Sequence, residues 1–389
     1  MRNSQTVETS AVSGLAVSQD SRLITFYSVS FRPLYGHHAL RARLAAAWLA
    51  GRLPASLLLV GRRGVGKQRL ALWLGQLLLC ERATAEQLLE PCGQCQQCRY
   101  ANRAVHPDLH WFFPRKKDGD PSPEDMKTLQ EEAIAERIEA EGLWAPTSGT
   151  EGIHINTIRA LLKQSSTRPA MAARSVFVIG DAERMVSQEG SDQAANAFLK
   201  LLEEPNASTT LILTTSEPGA LLPTIRSRVV TMRVPPVSRH DIELFLDDPA
   251  VQRRLSKLPR DEAIARSGGA PGELLAGETT AASFTSARRL LDAALLPSTP
   301  AGTADRIKAA ARQGVAGARG AFTDMLDALT VLLHERAKQL VASGHEQDAR
   351  RTSMALIDVE QAKQKAQGNV SPQLLSASLL GALHRTLRP

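Results

Sequence analysis

Four cysteines and one lysine-bearing glycine turn carry most of the chemistry in this sequence. Cys80 is followed after eleven residues by Cys92-Gly93-Gln94-Cys95-Gln96-Gln97-Cys98, and the chain has no other cysteine. Two-residue spacers let a turn aim neighbouring thiolates at one centre. Four thiolates with none left over suit a closed structural zinc site better than a catalytic one, which keeps a water position open. A redox or iron–sulfur role is the functional alternative. Free thiols in a core are the plain one, but this Gly- and Gln-rich stretch offers little to pack. We therefore expect a structural zinc on Cys80, Cys92, Cys95 and Cys98 that staples an excursion between helix and strand.

The lysine lies in Gly61-Arg62-Arg63-Gly64-Val65-Gly66-Lys67-Gln68, directly after the apolar run Ser56-Leu57-Leu58-Leu59-Val60 and before a helical pattern. That is the setting of a phosphate-binding loop. Gly61, Gly64 and Gly66 let backbone N–H groups curl round a phosphate, the helix N-terminus adds positive charge, and Lys67 reaches the outer phosphates. The eighth position needs a short hydroxyl to ligate magnesium and here holds Gln68. A second apolar run, Val176-Phe177-Val178-Ile179, ends in Gly180-Asp181-Ala182-Glu183, where such a site normally places an acid for the metal and then a base. In one register Gly180 stands at the metal position and Asp181 at the base; in the other, Asp181 serves the metal and Ala182 replaces the base. Either register damages hydrolysis. The loop can also persist as a plain strand-to-helix turn, so ATP binding stays open.

A third run, Thr210 to Thr215, precedes Leu222-Pro223-Thr224-Ile225-Arg226-Ser227-Arg228-Val229. An arginine beyond that strand can project into a neighbouring subunit's nucleotide site, where a guanidinium stabilises charge on the transferring phosphate. On spacing alone, an ion pair within its own domain is the simpler role for Arg228.

The elements that must position these groups alternate in type. Helical patterns at about 40–50, 67–80, 155–165 and 192–202 separate three short apolar strands, which indicates an α/β domain with a parallel sheet covered on both faces. Between Arg115 and Gly152 a Lys/Asp/Pro/Ser stretch leads into a Glu-crowded helix, read as a solvated insertion. Pro235-Pro236 and the helix-start signal Ser238-x-x-Asp241 open a small helical unit that ends near Gly268 to Gly272. Beyond about 281 the pattern is all helical. Phe322, Met325, Leu326, Leu329, Leu332 and Leu333 mark one apolar face, and a last helix is expected over Pro372 to Leu387.

The chain has 389 residues, enough for about two or three domains at ~150 residues each. Apolar content of 43% and charged content of 22% are those of a globular protein, which sets aside disorder and a disulfide scaffold. The net charge of +7 is compatible with nucleic acid or phosphate partners without demonstrating them. No run reaches the ~18 apolar residues of a membrane span, and residues 1–20 lack the apolar centre of a secretory signal. The expected location is the cytoplasm, with no membrane partner.

In combination, these pieces resemble the delta-prime subunit family of the bacterial DNA polymerase III clamp loader. The matching stretches are Gly61 to Lys67, Cys80 to Cys98, His106-Pro107-Asp108, Val176 to Met185, Asn196 to Pro205 and Leu222 to Arg228. The resemblance implies an AAA+ P-loop module with a zinc-module insertion. Residues 1–25 would form a flexible extension and 26–234 the α/β nucleotide-binding-like domain, with the zinc module at 80–98 and the charged insertion at 115–152. A small helical lid would cover 235–279 and a helical collar 280–389. It also implies a hetero-pentameric ring with gamma/tau and delta subunits that loads the sliding clamp onto primer-template DNA, as part of the DNA polymerase III holoenzyme. Ser227 and Arg228 become a trans-acting pair facing the neighbour's ATP, Thr215 lies near the sensor position, and the family's zinc module maps onto the four cysteines.

Departures from the ATPase relatives are Gln68 for Ser or Thr, Gly180 for Asp, and Glu273 for an Arg near the Gly-x-Pro-Gly turn. Val229 replaces the usual Cys after the Ser-Arg pair. The expected function is therefore a non-hydrolysing scaffold that supplies Arg228 in trans. The alternative is an active gamma/tau-like DNA-dependent ATPase, which Gly66 and Lys67 keep open. A zinc-containing nucleic-acid module has less support, since no basic helix or interleaved aromatics adjoin the cysteines. Arg62, Arg63, Lys116 and Lys117 are within the scope of phosphate contacts, though most such charges are simply solvated.

Overall fold

The computed structural model describes residues 30–116, 121–146, 151–185, 193–256, 258–311, 319–366 and 371–388. The extension assigned to residues 1–25 and parts of the charged insertion lie outside the described residues. Strands β1 (Ser56–Val60), β2 (Leu109–Phe112), β3 (Ser175–Ile179), β4 (Thr209–Thr215) and β5 (Val230–Arg233) form one sheet in the order β2-β3-β4-β1-β5. All its pairings are parallel.

Period-two alternation divides the sheet's side chains between two cores. Leu57, Leu59, Trp111, Val176, Val178 and Ile212 pack under α1 (His38–Leu49), α2 (Lys67–Leu79) and α4 (Gln96–Asn102). Leu58, Phe112, Phe177, Ile179, Leu211 and Leu213 face α6 (Ile155–Ser165) and α7 (Gln193–Glu203). The short helix α3 (Glu81–Ala85) follows α2 and begins the cysteine excursion.

Two strands were not among the three expected. β2 is only four residues long and contains His110, and β5 is an exposed edge strand with no apolar run to betray it. Val176–Ile179 thus belongs to the third strand in chain order and Thr210–Thr215 to the fourth.

The insertion also departs from its reading as solvated. Arg115 and Gly152 exchange two backbone hydrogen bonds at its base. Its helix α5 (Pro123–Glu139) buries Met126, Gln130 and Ile138, and Gln130 Nε2 donates to the carbonyl of Trp111 on β2. Glu131, Glu132, Glu136 and Glu139 of the same helix are exposed.

After the short α8 (Pro223–Arg226) and β5 come α9 (Arg239–Asp247), α10 (Pro249–Arg254), α11 (Arg260–Ser267) and a 3-10 turn, Pro271–Ala276. Ser238 caps α9 by accepting the Asp241 amide, as the start signal implied. Helices α12 (Glu278–Ala294), α13 (Pro300–Ala311), α14 (Arg319–Ala342), α15 (Glu346–Ala366) and α16 (Pro372–Leu387) share a separate core. Phe322, Met325, Leu326, Leu329 and Leu333 are buried in it, with Leu332 partly so. Among the described residues no helix is long and apolar enough to cross a membrane.

Candidate functional site

The glycine-rich loop Gly61 to Gly66 joins β1 to α2 at the edge of a cavity of about 150 Å³. Lys67 Nζ is turned back into the loop, donating to the carbonyls of Gly61 (2.8 Å) and Arg62 (2.9 Å) and to Ser216 Oγ (2.8 Å). Burial pulls its ammonium below the ordinary lysine range. Thr215, expected at the sensor position, accepts the Glu217 amide instead, so Ser216, one residue further on, is the strand-end hydroxyl that touches the lysine.

The metal corner is filled by protein. Gln68 Oε1 accepts from Trp111 Nε1 and from Arg137, each at 3.2 Å, while Gln68 Nε2 donates to Asp181 at 3.1 Å. A Cβ placed on Gly180 would lie 2.5 Å from Gln68 Oε1 and 2.6 Å from Nε2. Gly180 therefore faces the eighth loop residue, which is the first of the two registers considered, and the Gln68 amide occupies the space a side chain at 180 would need. Position 68 offers no short hydroxyl and position 180 no carboxylate, and the nearby Asp181 carboxylate accepts from the Gln68 amide, so the corner does not reproduce the usual magnesium ligands.

Arg137 was not legible as a site residue. Its guanidinium lies 3.4 Å from the centre of the Phe113 ring, 4.9 Å from Trp111 and 5.0 Å from Trp144, an arrangement of cation–π contacts. Burial lowers it to about 9, opposed by the charge of Asp181. Glu183 is a second site residue that sequence pattern does not mark. Its Oε1 accepts the Ser216 amide while Oε2 is shut off from solvent, without a hydrogen-bond partner among the described residues. Burial, and then the neighbouring Asp181 charge, push this carboxyl up to about 7, with Lys67 acting the other way.

Because the folded-state value lies above the unfolded one, the folded protein binds the extra proton, and the stability this confers is lost as pH rises toward and through 7. Glu183→Gln is therefore expected to raise the thermal midpoint at pH 8 and to flatten its fall between about pH 5 and 8. Melting curves across that range test this, and parallel curves for the two proteins would refute it.

Arg62 and Arg63 are fastened rather than solvated. Arg62 donates to the carbonyl of Gly268 at 2.8 Å, and Arg63 pairs with Asp324 on α14 and donates to the carbonyl of Pro146. Gly64 has φ +71°, and a Cβ there would lie 2.7 Å from the Glu273 amide nitrogen. The Gly272 amide donates to Gly64 O at 2.8 Å. Burial raises the Glu273 carboxyl, opposed by Arg63. The loop is thus tied to the helical segments on either side of residue 280. Lys116 is exposed, and Lys117 lies outside the described residues.

The four cysteine sulfurs lie within 4.8 Å of one another. Cys92 and Cys98 are 3.9 Å apart and Cys80 and Cys95 4.0 Å, close to the about 3.8 Å edge of a tetrahedron with Zn–S bonds of ~2.3 Å. Amides of Cys92, Cys95 and Cys98 donate to the sulfurs of Cys80, Cys92 and Cys95 respectively. Burial opposes ionisation of Cys92, yet N–H donors from Cys95 and Gln94 hold its thiol down at about 6. The donor set and spacing fit a structural zinc. Just before β2, Asp108 accepts the amides of Ala170, Met171 and Ala172, which closes the turn into β3.

Arg228 lies just before β5, away from this cavity. It donates to Glu203 Oε1 (2.7 Å), Thr224 O (3.0 Å) and Ser227 Oγ (3.3 Å), and Ser227 Oγ donates to Thr224 O. The ion pair anticipated within its own domain is present, and the arginine side chain remains 34% exposed.

A family model described as "DNA polymerase III, delta subunit" matches residues 36–238. The DNA polymerase III subunit delta′ of Pseudomonas aeruginosa is 31% identical over 219 residues, 55% of this chain and 52% of the relative. That of Bacillus subtilis is 30% identical over 207 residues, 53% of this chain and 50% of the relative. The gamma/tau subunit of Mycobacterium tuberculosis is 29% identical over 199 residues, covering 51% of this chain and 27% of the relative. The chain spans about half the length of the delta′ relatives it matches.

Proposed function

The chain belongs to the DNA polymerase III, delta subunit family, and on that premise we propose that it is the delta-prime-type subunit of a clamp loader, one that does not itself hydrolyse ATP. The observation that carries this reading is the metal corner, where the Gln68 amide fills the space beside Gly180 and bonds Trp111, Arg137 and Asp181. Phosphoryl transfer depends almost wholly on positioning and on metal charge, and both are lost there. In the same reading the 26–234 segment is an AAA+ module carrying structural zinc, 235–279 its lid, and 280–389 the collar that joins gamma/tau and delta subunits in a hetero-pentameric ring. Sliding clamp and primer-template DNA are engaged through that complex, and Arg228 with Ser227 faces the adjacent subunit's ATP. The second reading, a gamma/tau-like ATPase, is favoured by the retained Lys67 and the similarity to gamma/tau subunits.

The test is steady-state ATP hydrolysis by the purified chain alone and in a complex with gamma/tau, delta, clamp and primed DNA. No turnover alone is expected, with stimulation in the complex that Arg228→Ala reduces by about tenfold or more, as removal of a charge-stabilising arginine does. Turnover by the chain alone that Lys67→Ala abolishes would establish the second reading instead.

A further inference from the structure

We infer that Glu203 is a positioning residue for Arg228, fixing the guanidinium so that it meets the neighbouring subunit's nucleoside triphosphate already oriented. This rests on the trans-arginine reading above. Glu203 is the last residue of α7, at the negative pole of that helix, where a carboxylate is locally disfavoured. Helix chemistry therefore does not account for it. Nor does stability, since at 48% side-chain exposure its pair with Arg228 is screened and contributes little.

What the pair does accomplish is geometric. One terminal nitrogen of Arg228 is held by Thr224 O and Ser227 Oγ, and the other is held by Glu203 at 2.7 Å. Anchors on both terminal nitrogens fix the guanidinium plane as well as its position. A guanidinium has five N–H groups, so these three bonds leave others for an incoming phosphate. An arginine ordered beforehand loses less freedom when it engages the transferring phosphate, and that gain is expressed in turnover rather than in substrate affinity.

The experiment measures kcat and KM for ATP in the reconstituted complex with wild-type chain, Glu203→Ala, Glu203→Gln, Arg228→Ala and the Glu203→Ala/Arg228→Ala pair, after gel filtration has verified assembly. Glu203→Ala is expected to lower kcat about fivefold with KM unchanged, the scale of one exposed charged contact. Glu203→Gln should recover part of the loss, because its amide oxygen still accepts a hydrogen bond. In the Arg228→Ala background, Glu203→Ala should add nothing. Unchanged or faster turnover in Glu203→Ala, or losses that multiply in the double variant, would overturn the positioning role while leaving the arginine's role standing. Full turnover in Arg228→Ala would overturn both.

Discussion

Cys98→Ser is expected to release zinc from the purified chain and lower its thermal midpoint by about 10 °C, with the same shift in wild-type protein after chelation. The proposed ion would join Cys80, at the end of α2, to three cysteines carried on the turn and first residues of α4. Both Cys80 and Cys98 are buried within the core beneath the sheet. A structural zinc contributes on the order of 10 kcal/mol to peptides that fold around it. A third of that amount, at about 2–4 °C per kcal/mol for a domain of this size, gives the stated shift. Metal content by mass spectrometry and melting with and without chelator provide the check. A chain that carries about one zinc yet melts identically after its removal would show that the protein interior alone holds the excursion.

Gly180→Asp should destabilise the fold through overpacking, and combining it with Gln68→Thr should cost less than the sum of the two single changes. A Cβ at 180 would stand 2.5 Å from Gln68 Oε1, and that amide is pinned by Trp111, Arg137 and Asp181, so it has no free direction in which to swing. Overpacking of this kind costs about 1–3 kcal/mol. Gln68→Thr by itself should also destabilise, by about 1–3 kcal/mol, because Trp111 Nε1 and Arg137 lose their acceptor. The two losses should therefore cancel in part when combined, an interaction that denaturant titration of the four proteins can measure. Simple additivity would mean that the close approach at Gly180 relaxes without resistance.

The difference between these two sites also explains what could be read from sequence. All four cysteines fall between residues 80 and 98, so their convergence follows from spacing alone. Gln68 and Gly180 were each visible as the wrong residue in a recognisable place, but their fit to one another exists only once β3 lies beside α2. Arg137 gave no signal, because a lone arginine in a Glu-rich helix reads as a solvated charge. Its surroundings come from Trp111 and Phe113 at β2 and Trp144 beyond α5. β5 was missed for the related reason that an edge strand with exposed side chains needs no apolar pattern.

The fit between Gln68 and Gly180 bears on the order in which such a site can change over evolutionary time. A lineage that gained an acid at 180 first would meet steric conflict, and one that gained a short hydroxyl at 68 first would leave a buried tryptophan and arginine without their acceptor. Each single step toward a metal site crosses a less stable intermediate, so the two positions hold one another in place. On the non-hydrolysing reading proposed above, a metal-binding corner would require both substitutions together, or prior stabilisation elsewhere in the chain.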